Sequence, residues 1–188
     1  MMGGLRRIMD SKNIFIIETN FDDCSYFAKW EVLPSVTEFF TMDEGRTYED
    51  SVVEFIDCKQ DPSKMMYTIC IREGNLPIGK IYLTKINNKY DSLDITRIYI
   101  AEDKNRDKGY GYEALRLILN HAFISMHMER VTLDYMTANK KAEHLYEKIG
   151  FTREGIMRNS GKKDGKYVDL ILMSMLRSEF YEKHVRQI

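Results

Sequence analysis

Two β-rich runs, LDITRIYIA (Leu93–Ala101) and ERVTLDYM (Glu129–Met136), flank a segment with helical periodicity. In that segment Leu115, Ile118, Leu119, Ala122 and Met126 fall at i, i+3, i+4, i+7 and i+11, one stripe of a helix. Strand, helix, strand in that order is a crossover unit. The helix carries the chain back to the starting edge, so the two strands lie parallel. Whatever else the chain builds must be compatible with that parallel pair.

The flanking runs read mainly as hairpins and helices. Ile14–Glu18 is a short strand. Asp22–Leu33 reads as one helix with Pro34 just beyond its end, and YEDSVVEFIDC as a second after the loop EFFTMDEGRT. MMYTICIRE (Met65–Glu73) and LPIGKIYLTKI (Leu76–Ile86) are strands joined at Gly74-Asn75. NKKAEHLYEKIG (Asn139–Gly150) is a helix closed by glycine. FTREGIMRN and KYVDLILMSML are strands around a turn at Asp164-Gly165. The expected class is α/β: a single mixed sheet, parallel at its centre, with helices on both faces. The 188 residues, 44% of them hydrophobic, are enough for one core, and no linker interrupts them. One domain over 1–188 is expected, its core running from about 14 to 176.

Charge excludes some partners. Lys and Arg number 28 against 29 Asp and Glu, and this balance gives no reason to expect nucleic acid. Cys24, Cys58 and Cys70 are far apart, so neither a disulfide framework nor a zinc site is expected, and a reduced, cytoplasmic setting fits. His121, His127, His144 and His184 have no metal-ligand spacing. The N-terminal stretch MMGGLRRIMDSKN lacks the apolar run of a signal peptide, and no run is long enough to span a membrane. Arg158, Lys162, Lys163 and Lys166 read as a solvated hairpin.

The periodic helix opens with Gly109 and Gly111, although glycine is a poor helix former. Glycines there either make the turn or let an anion reach the unpaired N–H groups of the helix start. One phosphate-binding reading is the dinucleotide fingerprint: Gly109-x-Gly111-x-x-Ala114, with Asp134 20 residues further on. It requires the glycines to follow a strand directly, yet Glu102 to Lys108 intervene, and three strands precede the unit. The other reading takes in Arg106, in the pattern Arg-x-x-Gly-x-Gly. Further on, Asn139, Ala142, Leu145, Tyr146, Gly150 and Phe151 stand in N-x-x-A-x-x-L-Y-x-x-x-G-F. In both motifs and their order the chain resembles the GNAT N-acetyltransferases, which use acetyl-CoA. The helices around Trp30-Glu31 and the ending DGKYVDLILMSMLRSEF are similar to the subgroup of ribosomal-protein N-terminal, polyamine and drug acetyltransferases.

The resemblance implies a site. Arg106, Asp107, Lys108, Gly109, Tyr110, Gly111 and Tyr112 would hold the pyrophosphate, and Ile98, Tyr99 and Ile100 would offer backbone groups to the pantetheine arm. The loop EDKNRDK is about a residue longer than is usual there. Asn139 is a pantetheine contact or a helix N-cap, or both. Tyr146 touches the cosubstrate and is the candidate acid, or else packs its helix onto the sheet. Asp134, five residues before Asn139, is the candidate base or a plain strand-end carboxylate; Asp94 and Glu102 are weaker candidates. Trp30, Glu31, Phe39 and Phe40 would border the acceptor, with Asp43, Glu44, Glu49 and Asp50 close in sequence. Carboxylates beside aromatics suit a cationic amine. The implied activity is metal-free acetyl transfer to a protein N-terminal amine or to a cationic small amine such as a polyamine or aminoglycoside, with room for a homodimer. The alternatives are a non-catalytic acyl-CoA-binding module and a nicotinamide-dependent oxidoreductase.

Overall fold

The computed structural model describes residues 7–41 and 45–185. Its strands are β1 (Arg7–Asp10), β2 (Ile14–Glu18), β3 (Met65–Ile71), β4 (Leu76–Asn87), β5 (Ser92–Ile100), β6 (Arg130–Met136), β7 (Thr152–Lys163) and β8 (Lys166–Leu176). They form one eight-stranded sheet in the order β1-β2-β3-β4-β5-β6-β8-β7. β5 and β6 run parallel at its centre, and the other neighbours are antiparallel. The helices are α1 (Cys24–Trp30), α2 (Pro34–Thr37), α3 (Tyr48–Gln60), α4 (Tyr110–Asn120), α5 (Lys140–Ile149) and α6 (Arg177–His184).

The mixed α/β sheet is the one expected, with local differences that have physical causes. The segment read as one helix, Asp22–Leu33, is divided: a 3-10 turn at Phe21–Asp23 leads into α1, which stops at Trp30. Pro34 does not follow a helix end. It starts α2, where its missing N–H costs no bond. β1 and α6 bury one side chain each, Met9 and Phe180, so neither leaves an apolar period in the sequence.

Helices cover both faces. On one, Leu115 and Ile118 of α4, Tyr146 and Ile149 of α5 and Phe180 of α6 join the apolar side chains of β4, β5, β6 and β8. On the other, Phe27 and Trp30 of α1 and Cys58 of α3 pack on Met66, Tyr82 and Tyr99.

Beneath α1 and α3 that second face also carries charge. Lys80 and Glu31 have no exposed side-chain surface. The Lys80 Nζ lies 2.8 Å from Glu31 Oε1 and 2.6 Å from Glu54 Oε2. Arg97 pairs with both carboxylates, and Arg46 Nε lies 2.8 Å from Glu31 Oε2. The Tyr99 hydroxyl donates to Glu31 Oε1 at 3.1 Å. Burial alone would raise the pKa of Glu54, but Lys80 and Arg97 outweigh it and hold the carboxyl at about 2. A depressed carboxyl adds stability above its unfolded value of about 4.3, and that stability is lost as pH falls through the folded value. Glu54→Gln should therefore cost about 3–5 kcal/mol at neutral pH, the range for breaking a buried pair. In urea unfolding, its deficit against the wild type should shrink between about pH 4 and pH 2.

Candidate functional site

β5 and β6 pair over a short stretch: Ser92, Leu93 and Asp94 stand opposite Arg130, Val131 and Thr132. Beyond it the strands part, while β5 stays paired with β4 as far as Ile100 and β6 with β8 as far as Met136. The cause lies in β5. Tyr82 pairs with Arg97 but Leu83 pairs with Ile95, which leaves Thr96 as an extra residue. Such a bulge bends its strand and increases the twist. In the gap, the backbone groups of Ile98, Tyr99 and Ile100 that face β6 have no strand partner.

At the end of β5 the chain turns into α4 through two left-handed residues, Asp107 (φ 56°) and Gly109 (φ 83°). The first bond of α4 runs from the Glu113 N–H to the Gly109 carbonyl, at 3.0 Å. The six N–H groups from Asp107 to Tyr112 donate to no backbone acceptor among the described residues. A Cβ on Gly109 would meet nothing within 4 Å, and one on Gly111 would meet Leu145 Cδ2 at 3.9 Å. Uncovered N–H groups at the positive end of a helix, facing open space, suit a phosphate. The acid in the first turn, Glu113, is held by Ser11 (2.8 Å) and Asn13 of the β1–β2 turn.

Arg106 points elsewhere. Its Nε donates to the Ile100 carbonyl at 3.1 Å, a second nitrogen donates to the Ser35 carbonyl, and Nη1 lies 3.5 Å from Asp103. It ties the loop to β5 and α2. Asn139 caps α5, its Oδ1 accepting the Ala142 N–H at 3.1 Å.

Two of the expected residues, Asp134 and Tyr146, lie on β6 and α5. Asp134 on β6 is exposed to solvent. Partial desolvation, then the charge of Asp94, push its carboxyl upward, against the opposing effect of Lys85. Tyr146 on α5 is buried, its ring 5.7 Å from Tyr135 and 6.0 Å from Phe151. Burial, and the charge of Asp134 after it, make its phenol hold its proton more tightly.

The acceptor-side expectation needs correction at Glu31. Both its oxygens are taken by Lys80, Arg97, Arg46 and Tyr99, so it frames the site and presents no free charge. Trp30 is likewise core, edge-on to Tyr99 at 6.5 Å. Phe40 is half-buried and packs edge-on to Tyr99 at 6.0 Å; Phe39 is half-buried nearby in the chain. Asp50 caps α3 by accepting the Thr47 N–H at 2.8 Å, and Glu49 is in the same exposed turn. Asp43 and Glu44 lie outside the described residues. The sequence reading missed Lys80, Glu54 and Arg97. For Lys80 and Arg97 the signal was a charge inside a β-rich run, as in PIGKIYL and DITRIYI; Glu54, on α3, had none.

A mixed sheet opened at its parallel pair, with uncovered helix N–H groups at the mouth of the opening, is the arrangement of an acyltransferase fold. The chain belongs to the GNAT acetyltransferases: residues 16–152 match the family described as acetyltransferase (GNAT) domain. It is therefore an acetyltransferase, from a family that uses acetyl-CoA. It is 29% identical over 123 residues to the spermidine N(1)-acetyltransferase of Vibrio cholerae, covering 65% of this chain and 69% of that one. It is 22% identical over 159 residues to the uncharacterized N-acetyltransferase p20 of Bacillus licheniformis, covering 84% and 86%. The crystal structure of the Vibrio cholerae spermidine N-acetyltransferase with CoA and spermine superposes with a TM-score of 0.82. That match covers 89% of this chain and 97% of the other at 19% identity. Among the described residues no helix is long and apolar enough to cross a membrane.

The two glycines separate backbone strain from open space. Gly109→Ala puts a side chain at φ 83° and should cost about 1–2 kcal/mol in urea unfolding. Gly111→Ala meets only an ordinary contact in a helical turn and should leave stability unchanged or higher by up to about 1 kcal/mol.

Proposed function

We propose that the protein transfers the acetyl group of acetyl-CoA to a primary alkylamine of the polyamine class, with the coenzyme bound in the gap between β5 and β6. The observation that carries this reading is the run of unpaired N–H groups from Asp107 to Tyr112 at the mouth of that gap. Gly109 and Gly111 leave those groups uncovered, as a pyrophosphate requires. The polyamine class is supported by the kinship to spermidine acetyltransferases and by carboxylates, Asp134 and Asp94, on the gap.

Acetyl-CoA supplies a thioester carbonyl that an uncharged amine attacks, with release of the coenzyme thiol. An alkylamine is uncharged only on the order of one part in a thousand at neutral pH. The chain must remove a proton before attack and return one to sulfur afterwards. Asp134 is the acceptor for the first proton, directly or through water, because its raised pKa makes it a better base than an ordinary aspartate. Tyr146 is the donor of the second. Its phenol keeps its proton at neutral pH, and its hydroxyl has no hydrogen-bond partner among the described residues. Asn139 keeps its amide NH2 for the pantetheine arm while Oδ1 caps α5.

Thiol release with a panel of polyamines, aminoglycosides and N-terminal peptides tests the reading; turnover confined to peptides would overturn the polyamine assignment. Gly111→Val should weaken acetyl-CoA binding in calorimetry at least about tenfold, with the circular dichroism spectrum unchanged.

Tyr146→Phe removes a hydroxyl that has no hydrogen-bond partner among the described residues, so stability should hold. Its kcat should fall by about a hundredfold, the lower end for general-acid help, while acetyl-CoA affinity stays within about twofold. Steady-state turnover and calorimetry of both proteins check this.

A further inference from the structure

The apex of the gap is built around a carboxylate that no motif marks. Asp94 is the last β5 residue to pair with β6, opposite Thr132, and is 5% exposed. Thr132 donates to its Oδ2 at 2.7 Å, across the strands. Thr96, the extra residue of the bulge, donates to its Oδ1 at 2.9 Å. Thr84 lies 2.6 Å from Thr96. The single proton of Thr96 goes to Asp94, so Thr84 must be the donor in that contact. Asp94 thus accepts from both strands at the point where they part. Its cross-strand neighbour Thr132 stands two residues before Asp134, so the side chains of Asp94, Thr132 and Asp134 share one face of the sheet. Asp94 is near enough for its charge to act on the Asp134 carboxyl.

We propose that Asp94 is a positioning residue for the acetyl transfer: a carboxylate fixed at the floor of the gap that, with Asp134, offers two negative charges to one acceptor ammonium. This rests on the amine-acetylation reading above. Two hydroxyls hold the Asp94 side chain in place, whereas Asp134 is exposed and can move to take the proton. The negative charge of Asp94 also makes Asp134 harder to ionise. The charged groups facing Asp134 are Asp94 from β5, which acts in that direction, and Lys85 from β4, which opposes it. Tyr146 faces it from α5 as a neutral phenol. Deprotonation of the acceptor would be favoured because the recipient carboxylate is a stronger base than it would be alone, and docking because the charge on the amine meets two partners.

The test separates charge from architecture. Asp94→Asn keeps the size and one acceptor oxygen but removes the charge; Thr96→Val removes a hydroxyl and no charge. The Asp134 carboxyl is titrated by carbon-13 NMR in the whole chain, which needs no activity. In the wild type its midpoint should lie above the ordinary aspartate value of about 3.9. In Asp94→Asn it should fall by about half a unit to one unit, and in Thr96→Val it should stay put. With spermidine as the probe amine, Asp94→Asn should raise KM by about tenfold and shift the acidic limb of kcat/KM to lower pH by the same interval. Its acetyl-CoA affinity should be unchanged. A wild-type midpoint at or below the ordinary value, which needs no variant, overturns the proposal. So does an equal shift in Thr96→Val, or a loss of acetyl-CoA affinity matching the change in KM. If no amine is acetylated by the wild type, the amine-acetylation reading fails, and the titration still decides whether Asp94 charges Asp134.

Discussion

Much of this molecule follows from the point where β5 and β6 stop pairing. A parallel pair at the centre of a sheet normally keeps its ladder, because unpaired backbone groups in a protein interior are costly. Here the ladder ends at Asp94 and Thr132, and the inserted Thr96 is what ends it. Two consequences follow. The backbone of Ile98–Ile100 faces the gap without a strand partner, and β5 delivers the chain to the start of α4 at the mouth of that same gap. The strand edge and the helix end are therefore brought together by a single extra residue.

A bent strand must also be held. β5 is fixed from the α1–α3 side by its own side chains, Arg97 in the ion cluster and Tyr99 in its bond to Glu31. At its far end Arg106 grips the Ile100 carbonyl, and the Ser35 hydroxyl donates to the Ala101 carbonyl at 3.1 Å. An all-apolar replacement of the ion cluster would often be at least as stable, since desolvating five charges is expensive. What apolar packing would not supply is direction. Glu31 comes from the end of α1 and Glu54 from α3, Lys80 and Arg97 from two strands and Arg46 from a loop, and ion pairs are directional contacts between those elements. The cluster thus joins the helical layer to the bulged strand.

This division explains what could be read in the chain beforehand. The β-α-β unit, the glycine-opened helix and the N-x-x-A-x-x-L-Y motif are local patterns with fixed spacing, and the mixed sheet follows from them. Thr96 is a β-former in a β-former run, so nothing marks it as the inserted residue; a bulge is a property of two strands together. Glu31 was legible as a carboxylate among aromatics but not as a buried one. Its cations stand 49 and 66 positions away in Lys80 and Arg97, and only the fold brings them to it. α6 escaped for a different reason. Phe180 is its one fully buried side chain, and a single buried position has no period.

That unmarked helix nevertheless bears on the candidate site. Phe180 stacks on Phe123, just after α4, with ring centroids 4.9 Å apart. Four residues on, the His184 ring nitrogen lies 2.8 Å from the Ile149 carbonyl at the C-terminal end of α5. Lys183 closes over Gly150 so tightly that a Cβ there would sit 2.8 Å from its Cδ, and Gly150 is left-handed at φ 114°. Glycine is the residue that tolerates both demands at once. A cationic side chain at that end also complements the partial negative charge of the last carbonyls. α6 therefore clamps the C-terminus of α5 to the helix that begins at the N–H cradle, while Asn139 caps its N-terminus. Tyr146 stands between those two fixed ends. In the proton-donor role proposed for it, Tyr146 would gain from such restraint, because a side chain free to wander would meet the sulfur only part of the time. The glycine of the sequence motif is thus accounted for by the packing of the last helix, and the helix by its hold on the tyrosine four residues before that glycine.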